Sequence, residues 1–190
     1  MPKVEIQSKL DDATLTKFGE KYLTAEARKL IEFTKGSAMT EGGFGYLDSF
    51  GKVDSSKNRE LYIQCRMIQV LGLAQLLELT EAKELIDHGV DALVDLFEDK
   101  VNGGFYNSIT IQGKPANDRK LAYDQMFVLL AACTAKVAGS PRADDLLNKI
   151  DAVIDQYYWD DEFQMMNNSW DIEFKNLETY RGINANMHAV

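Results

Sequence analysis

NGGFYNSITIQGKPAN, residues 102–117, begins as EGGFGYLDSFGKVDSS, residues 41–56, begins: a Gly-Gly turn, then a short aromatic or β-branched run that ends at another Gly. Gly42, Gly43 and Phe44 recur as Gly103, Gly104 and Phe105, a step of 61 residues, and the apolar segments behind them keep that step, with Tyr62 on Tyr123 and Gln64 on Gln125. Both stretches read as small hairpins between helices. Apolar residues three and four apart run through 10–34, 57–79, 81–98, 119–138 and 143–158, which is helical spacing. The chain is therefore expected to be mainly α. One more step of 61 carries Tyr123 to Asn184 and Phe127 to His188, and Phe127 itself lies 61 after Arg66. Tyr62 with Arg66, Tyr123 with Phe127, and Asn184 with His188 are then i, i+4 pairs, each on one helix face, at equivalent places in three repeats. They are expected to face a common axis. Helix-pair repeats at a fixed period predict an α-solenoid or a closed ring of helical hairpins.

No linker rich in Gly, Ser or Pro divides the chain, so 1–190 reads as a single domain. A helix that begins near Ile183 has room for little more than one turn before Val190, and no polar capping repeat follows. The array is accordingly expected to be truncated at its C-terminal end.

The bulk chemistry narrows the function. With 190 residues, 45% apolar and 27% charged, the chain can build one sizeable core. A net charge of −9 argues against a phosphate-backbone partner, whose binding rests on clustered Lys and Arg, so nucleic acid is not an expected partner. No N-terminal apolar h-region and no run approaching eighteen apolar residues occurs, which argues against a signal peptide or a membrane span. Cys65 and Cys133 are too few for a disulfide framework and read as buried, reduced thiols, in keeping with a cytoplasmic protein. No Cys or His spacing marks a zinc site, and no Gly-rich loop joins a strand to a helix as a nucleotide site requires. The acidic pairs at 11, 144 and 160 read as helix starts and solvated faces; neither a metal nor a cofactor is expected.

His188 is the strongest chemical candidate, because an imidazole can pass protons between carbon and oxygen near neutrality, with Asn184 one turn away to orient a hydroxyl. A structural histidine is the bland alternative. Arg66 lies in an otherwise apolar helix, facing either a polar cavity or an ion pair with Glu60 or another carboxylate. Tyr62, Tyr123 and Trp170 offer apolar faces with polar tips, although Trp170 reads better as core. His88, beside acidic residues, suits a solvent-facing or capping role.

With these residues located, the sequence resembles the N-acylglucosamine 2-epimerase family, in the branch of mannose isomerase and sulfoquinovose isomerase. The segments EGGFGYLDSFGKVD, ELYIQCRM, HGVDALVDLFEDKVNGGFY, KLAYDQMFVLLAA and SWDIEFKNLETYRGINANMH follow in that family's order, and RGINANMH resembles the isomerase branch in particular. The resemblance implies an all-α fold, an (α/α)6 barrel of six helical hairpins around a sugar-binding axial cavity. Three repeats of about 61 residues then make half a barrel, the N-terminal half, with short β-hairpins between helices. It also implies a metal-free transfer of a proton between C1 and C2 of an opened sugar through a cis-enediol, by histidines from both halves. Carried over by position, His188 matches one catalytic histidine and Arg66 the arginine on substrate oxygens. Tyr123 and Asn184 match sugar contacts, and Tyr62 stands where relatives often have Trp. Gln69 and Gln125 stand where isomerase-branch relatives commonly carry His.

The expected ligand is a small-molecule sugar, and the expected reaction is aldose-ketose isomerisation such as mannose to fructose. The alternatives are a 2-epimerase, or a non-catalytic half-barrel that binds sugar or serves as a scaffold. A glycosidase ranks low, since its chemistry wants two carboxylates and none falls on the axial positions. Exposed faces of a half ring predict self-association or association with a complementary C-terminal half.

Overall fold

The computed structural model describes residues 19–189. The portion of the first expected helix at 10–18, and with it the acidic pair at 11, lies outside the described residues. Six α-helices follow: α1 (Glu20–Thr34), α2 (Leu61–Leu76), α3 (Lys83–Ala92), α4 (Ala122–Val137), α5 (Ala143–Val153) and α6 (Ile183–His188). The first residues of α2, α4 and α6 are 61 apart, and so are the wide π-type turns Leu93–Phe97 and Ile154–Tyr158 that end α3 and α5. The repeat seen in the Gly-Gly hairpins is thus a repeat of whole helix pairs.

Helix α4 packs between α2 and α6, while α3 lies on α2 and α4, and α5 on α4. Leu61, Cys65, Ile68 and Leu71 of α2 meet Ile86 and Val90 of α3, Leu93 of the turn that ends it, and Val128, Ala131 and Ala135 of α4 in one buried cluster. The alanines and Gly72 set how near α2 and α4 can come. A Cβ added to Gly72 would stand 2.4 Å from Cγ2 of Thr134, so only glycine fits there.

Seven short strands organise the loops: β1 (Arg59–Glu60), β2 (Ser108–Ile109), β3 (Pro115–Asn117), β4 (Lys120–Leu121), β5 (Trp159–Asp160), β6 (Met165–Met166) and β7 (Ser169–Trp170). Two pairings join one repeat to the next: β1 pairs with β2 and β4 with β7, both antiparallel. The hairpins were expected only to link helices; they also zip the repeats together. That explains why α2 and α4 begin at Leu61 and Ala122 instead of Lys57 and Arg119. The residues before them give their backbone groups to strands, and the first helical N–H groups, of Leu61 and Ala122, donate to the carbonyls of Asn107 and Asn168 at 2.9 Å.

Each Gly-Gly turn takes positive φ at both positions, +100° and +71° at Gly42 and Gly43, +82° and +67° at Gly103 and Gly104. Left-handed backbone in consecutive residues is what glycine alone adopts without steric cost. A side chain of the inner helix then clamps each loop. Gln64 accepts from the Phe44 N–H at 2.7 Å and donates to its carbonyl at 2.8 Å; Gln125 donates to the Phe105 carbonyl at 3.0 Å; Asn186 accepts from the Met166 N–H at 2.7 Å. These three clamps lie 61 apart. Gln125 is fully buried in this structural role, away from the axial face.

A second 61-residue register, of cations, passes unseen in a reading for apolar period. Arg59 donates to the Gly42 carbonyl, Lys120 to the Gly103 carbonyl at 2.9 Å and to Asp99 at 3.0 Å, and Arg181 to Asp160 at 2.8 Å. Asp160 is therefore a loop anchor and not a helix start. Two further expectations need correcting. His88 is half-buried, its Nε2–H donating to the Gly43 carbonyl at 2.9 Å and its ring edge-on to Phe44, so it fastens α3 to the first turn. Cys133 is exposed, because α4 buries positions 128, 131, 132 and 135 and turns 130 and 133 outward. Trp170 packs with Tyr157 and Phe174 in a smaller cluster, as its core reading expects.

Candidate functional site

Helices α2, α4 and α6 each bring one i, i+4 pair to the same wall. The rings of Tyr62 and Tyr123 meet edge-on with centroids 5.8 Å apart, and Tyr123 and Phe127 stand 5.2 and 4.9 Å from the His188 imidazole. The Arg66 guanidinium lies 4.6 Å over Phe127 and 6.0 Å from the Tyr62 centroid, and donates to the Tyr123 hydroxyl at 3.3 Å. Five of the six axial positions thus form one aromatic wall bearing a cation and an imidazole. Asn184, one turn before His188, is exposed at the open side and has no hydrogen-bond partner among the described residues.

Among the described residues Arg66 has no carboxylate partner, which decides between the two readings of this position in favour of an open polar face. Its charge is steadied by the π faces beneath it, an interaction worth roughly 0.5–1 kcal/mol at an exposed site. The ring nitrogens of His188 likewise have no protein hydrogen bond among the described residues. Donor fork, phenol and imidazole are left facing solvent on a base of aromatic rings set edge-on to one another, an arrangement that suits a ring-shaped or opened polyol. Among the described residues no three His, Cys, Asp or Glu side chains gather where they could hold a metal ion. No described helix is long and apolar enough to cross a membrane.

The spacing argument missed the polar groups behind this wall. Tyr46 donates to Glu60 at 3.0 Å, with Tyr62 near enough to feel the charge of Glu60. Burial raises the pKa of both phenols and the Glu60 carboxylate adds to the rise at each, while at Tyr62 the Tyr46 hydroxyl opposes it; both stay protonated donors. Asp124, next to Tyr123, is buried and accepts from Asn107 Nδ2 at 2.6 Å. The backbone carbonyl of Asn107 accepts the first N–H of α2, so this contact ties the starts of α2 and α4 together. The available signal was a lone carboxylate inside LAYDQMFVLL.

Burial pushes the Asp124 carboxyl up to about 7, with the nearby Glu60 charge adding to the effect and the Asn107 contact opposing it. The folded chain therefore keeps this proton over a range in which the unfolded chain, with an ordinary value of 3.8, has lost it. The folded state binds more protons between those values, so this group's contribution to stability falls as pH rises from about 4 to about 7 and is level above. Asn at this position keeps the acceptor for Asn107 and removes the buried charge. Asp124→Asn is expected to stabilise the chain by about 3 kcal/mol at pH 8 and by about a third of that at pH 5. Urea unfolding at the two pH values checks this, and an equal effect at both would show that Asp124 is ionised throughout.

The comparisons bear on the family and the fold. The family model of N-acylglucosamine 2-epimerase (GlcNAc 2-epimerase) matches residues 42–190. D-mannose isomerase of Thermobifida fusca is 40% identical over 169 residues, covering 89% of this chain and 42% of that protein. Among solved structures, a crystal structure of D-mannose isomerase superposes with a TM-score of 0.81 at 24% identity, over 89% of this chain and 45% of the other. Cellobiose 2-epimerase from Bacillus thermoamylovorans B4167 gives 0.77 at 19% identity, over 88% and 48%. The chain thus spans under half the length of the relatives it matches, and its three helix-pair repeats are half of the (α/α)6 barrel of these structures. By sequence and by fold, the chain belongs to the N-acylglucosamine 2-epimerase family.

Proposed function

We propose that residues 1–190 are one domain that supplies the N-terminal half of the sugar site of an aldose-ketose isomerase, with mannose and fructose as the substrate pair. The observation that carries this reading is the convergence of His188, Arg66, Tyr123 and Tyr62, from three successive repeats, on one solvent-facing wall. In this reading His188 removes the C2 proton of the opened aldose and returns it to C1, while a proton moves from O2 to O1, through an enediol. Arg66, Tyr123 and Asn184 hold the oxygens on which charge develops, where a preorganised cation is most effective. The resemblance to D-mannose isomerases supports the choice of sugar.

The other half of the reaction belongs, in this proposal, to a complementary C-terminal half that closes the ring. Leu30, Phe33, Leu73 and Leu77 at the α1–α2 edge, and Ile183 and Met187 on α6, are exposed, and apolar surface of this kind favours association. The free thiols Cys65 and Cys133 fit a cytoplasmic setting. Incubation with D-mannose tests the function. Fructose formation is the expected result, for the chain alone or with a relative's C-terminal half; glucose as the sole product would make the enzyme a 2-epimerase, and no product in either case would leave a binding module.

A further inference from the structure

We infer that Glu60 is a specificity-determining residue: its carboxylate, in a cavity at the start of the helix that carries Tyr62, accepts hydrogen bonds from sugar hydroxyls remote from C1 and C2. The inference rests on the proposed sugar site and names how its far end is read.

The fold does not require a carboxylate at this position. The equivalent places in the next two repeats are Leu121 and Gly182. The pairing of Glu60 with Ser108 in the β1–β2 ladder uses backbone groups and is indifferent to the side chain. The neighbouring register of Arg59, Lys120 and Arg181 is by contrast kept basic in all three repeats, since there the side chain clamps a loop. A departure from the repeat at a position that leaves packing untouched points outward, to a ligand.

The surroundings supply the rest. Glu60 lines a cavity of about 550 Å³ with Tyr46, Leu47, Asp54, Ser56, Lys57 and Asn58. It forms no ion pair among the described residues, and its one directly bonded donor is the Tyr46 hydroxyl at 3.0 Å. A carboxylate offers about four lone-pair directions, so acceptor capacity remains for two adjacent hydroxyls, the usual arrangement on a sugar. Tyr46 also departs from the repeat, standing where Asn107 and Asn168 stand in the other two. Tyr62 connects the two regions, because it lies two residues beyond Glu60 at the start of α2 and touches Tyr123 and Arg66 through its ring. A polyol whose reacting end lies against His188 can therefore extend over Tyr62 towards Glu60.

Saturation-transfer and titration NMR with D-mannose, 4-deoxy-D-mannose and 6-deoxy-D-mannose test this on the whole chain. Glu60→Gln is expected to weaken mannose binding about tenfold, as for loss of a hydrogen bond to a charged group. It should leave the deoxy sugar that lacks the recognised hydroxyl, already weaker for wild type, within about twofold. Tyr46→Phe, which frees one lone pair without removing the charge, should weaken mannose binding by less than Glu60→Gln does. Binding of mannose by Glu60→Gln within twofold of wild type, with an unchanged far-UV spectrum, would overturn the inference and leave the sugar site standing. A wild-type chain that binds none of the three sugars would overturn both.

Discussion

Lys120→Met is expected to lower the stability of the chain by about 3–5 kcal/mol, the cost of stranding one partner of a buried ion pair. Lys120 and Asp99 have side chains 0% and 1% exposed and lie 3.0 Å apart. Burial works against the charge on both. It pulls the Lys120 pKa down, and it would raise that of Asp99, but hydrogen bonds from Asn102, Lys120 and the Val101 and Asn102 N–H groups outweigh it and hold Asp99 at about 2. The ammonium also rests over the rings of Tyr106 and Phe174, at 4.7 and 5.7 Å. Because the pair joins the second Gly-Gly turn to the strand that leads into α4, its loss should loosen the Tyr123 end of the wall as well. Denaturant unfolding of Lys120→Met, Asp99→Asn and the double variant checks the coupling. The double variant should recover much of the loss, since no unpaired charge remains. A single-variant effect under 1 kcal/mol would show that water reaches the pair. The depressed Asp99 pKa adds a pH signature: this part of the stability is complete above about 4 and is lost as pH falls towards 2.

The largest functional effect is expected at His188. In the reaction proposed above, His188→Asn should reduce conversion of D-mannose to fructose by about 10²–10⁴, the range typical for removal of a positioned acid-base group. Asn keeps a polar side chain of similar size at the end of α6, so helix content and melting behaviour should be unchanged. Arg66→Lys offers a useful contrast. It keeps the charge but loses the planar fork that donates to Tyr123 and stacks on Phe127, so it should raise KM and lower kcat while leaving some turnover. If His188→Asn retains a rate within threefold of wild type, the proton carrier lies elsewhere and His188 is an aromatic-wall residue only.

The sequence was informative where one side chain type serves one purpose at a fixed step. Gly42–Gly43 and Gly103–Gly104 must adopt positive φ, so they are glycine twice. The same step led from Tyr62 and Arg66 to Asn184 and His188, so helix periodicity placed each pair on one helix face, while the contacts between the helices are tertiary. Glu60, Asp124 and the basic clamps were illegible for the converse reason. A carboxylate in a short apolar run looks the same whether it is solvated, paired or buried, and Lys120 and Asp99 come together only when 21 residues of loop fold back. Gln125 illustrates the converse: the resemblance puts it where relatives commonly carry His, and its side chain turns inward to hold the Phe105 carbonyl.

What the sequence by itself determined is the repeat, its all-α character and the register of the axial residues, because these depend on local periodicity and on backbone conformations that few residues can take; the family came from the resemblance of whole segments. Only the tertiary structure decided that Arg66 is unpaired, that His188 rests on Tyr123 and Phe127, and that Glu60 opens onto a cavity beside Tyr62. Those are properties of distance and desolvation between segments some 60 residues apart, and packing, not order along the chain, sets them.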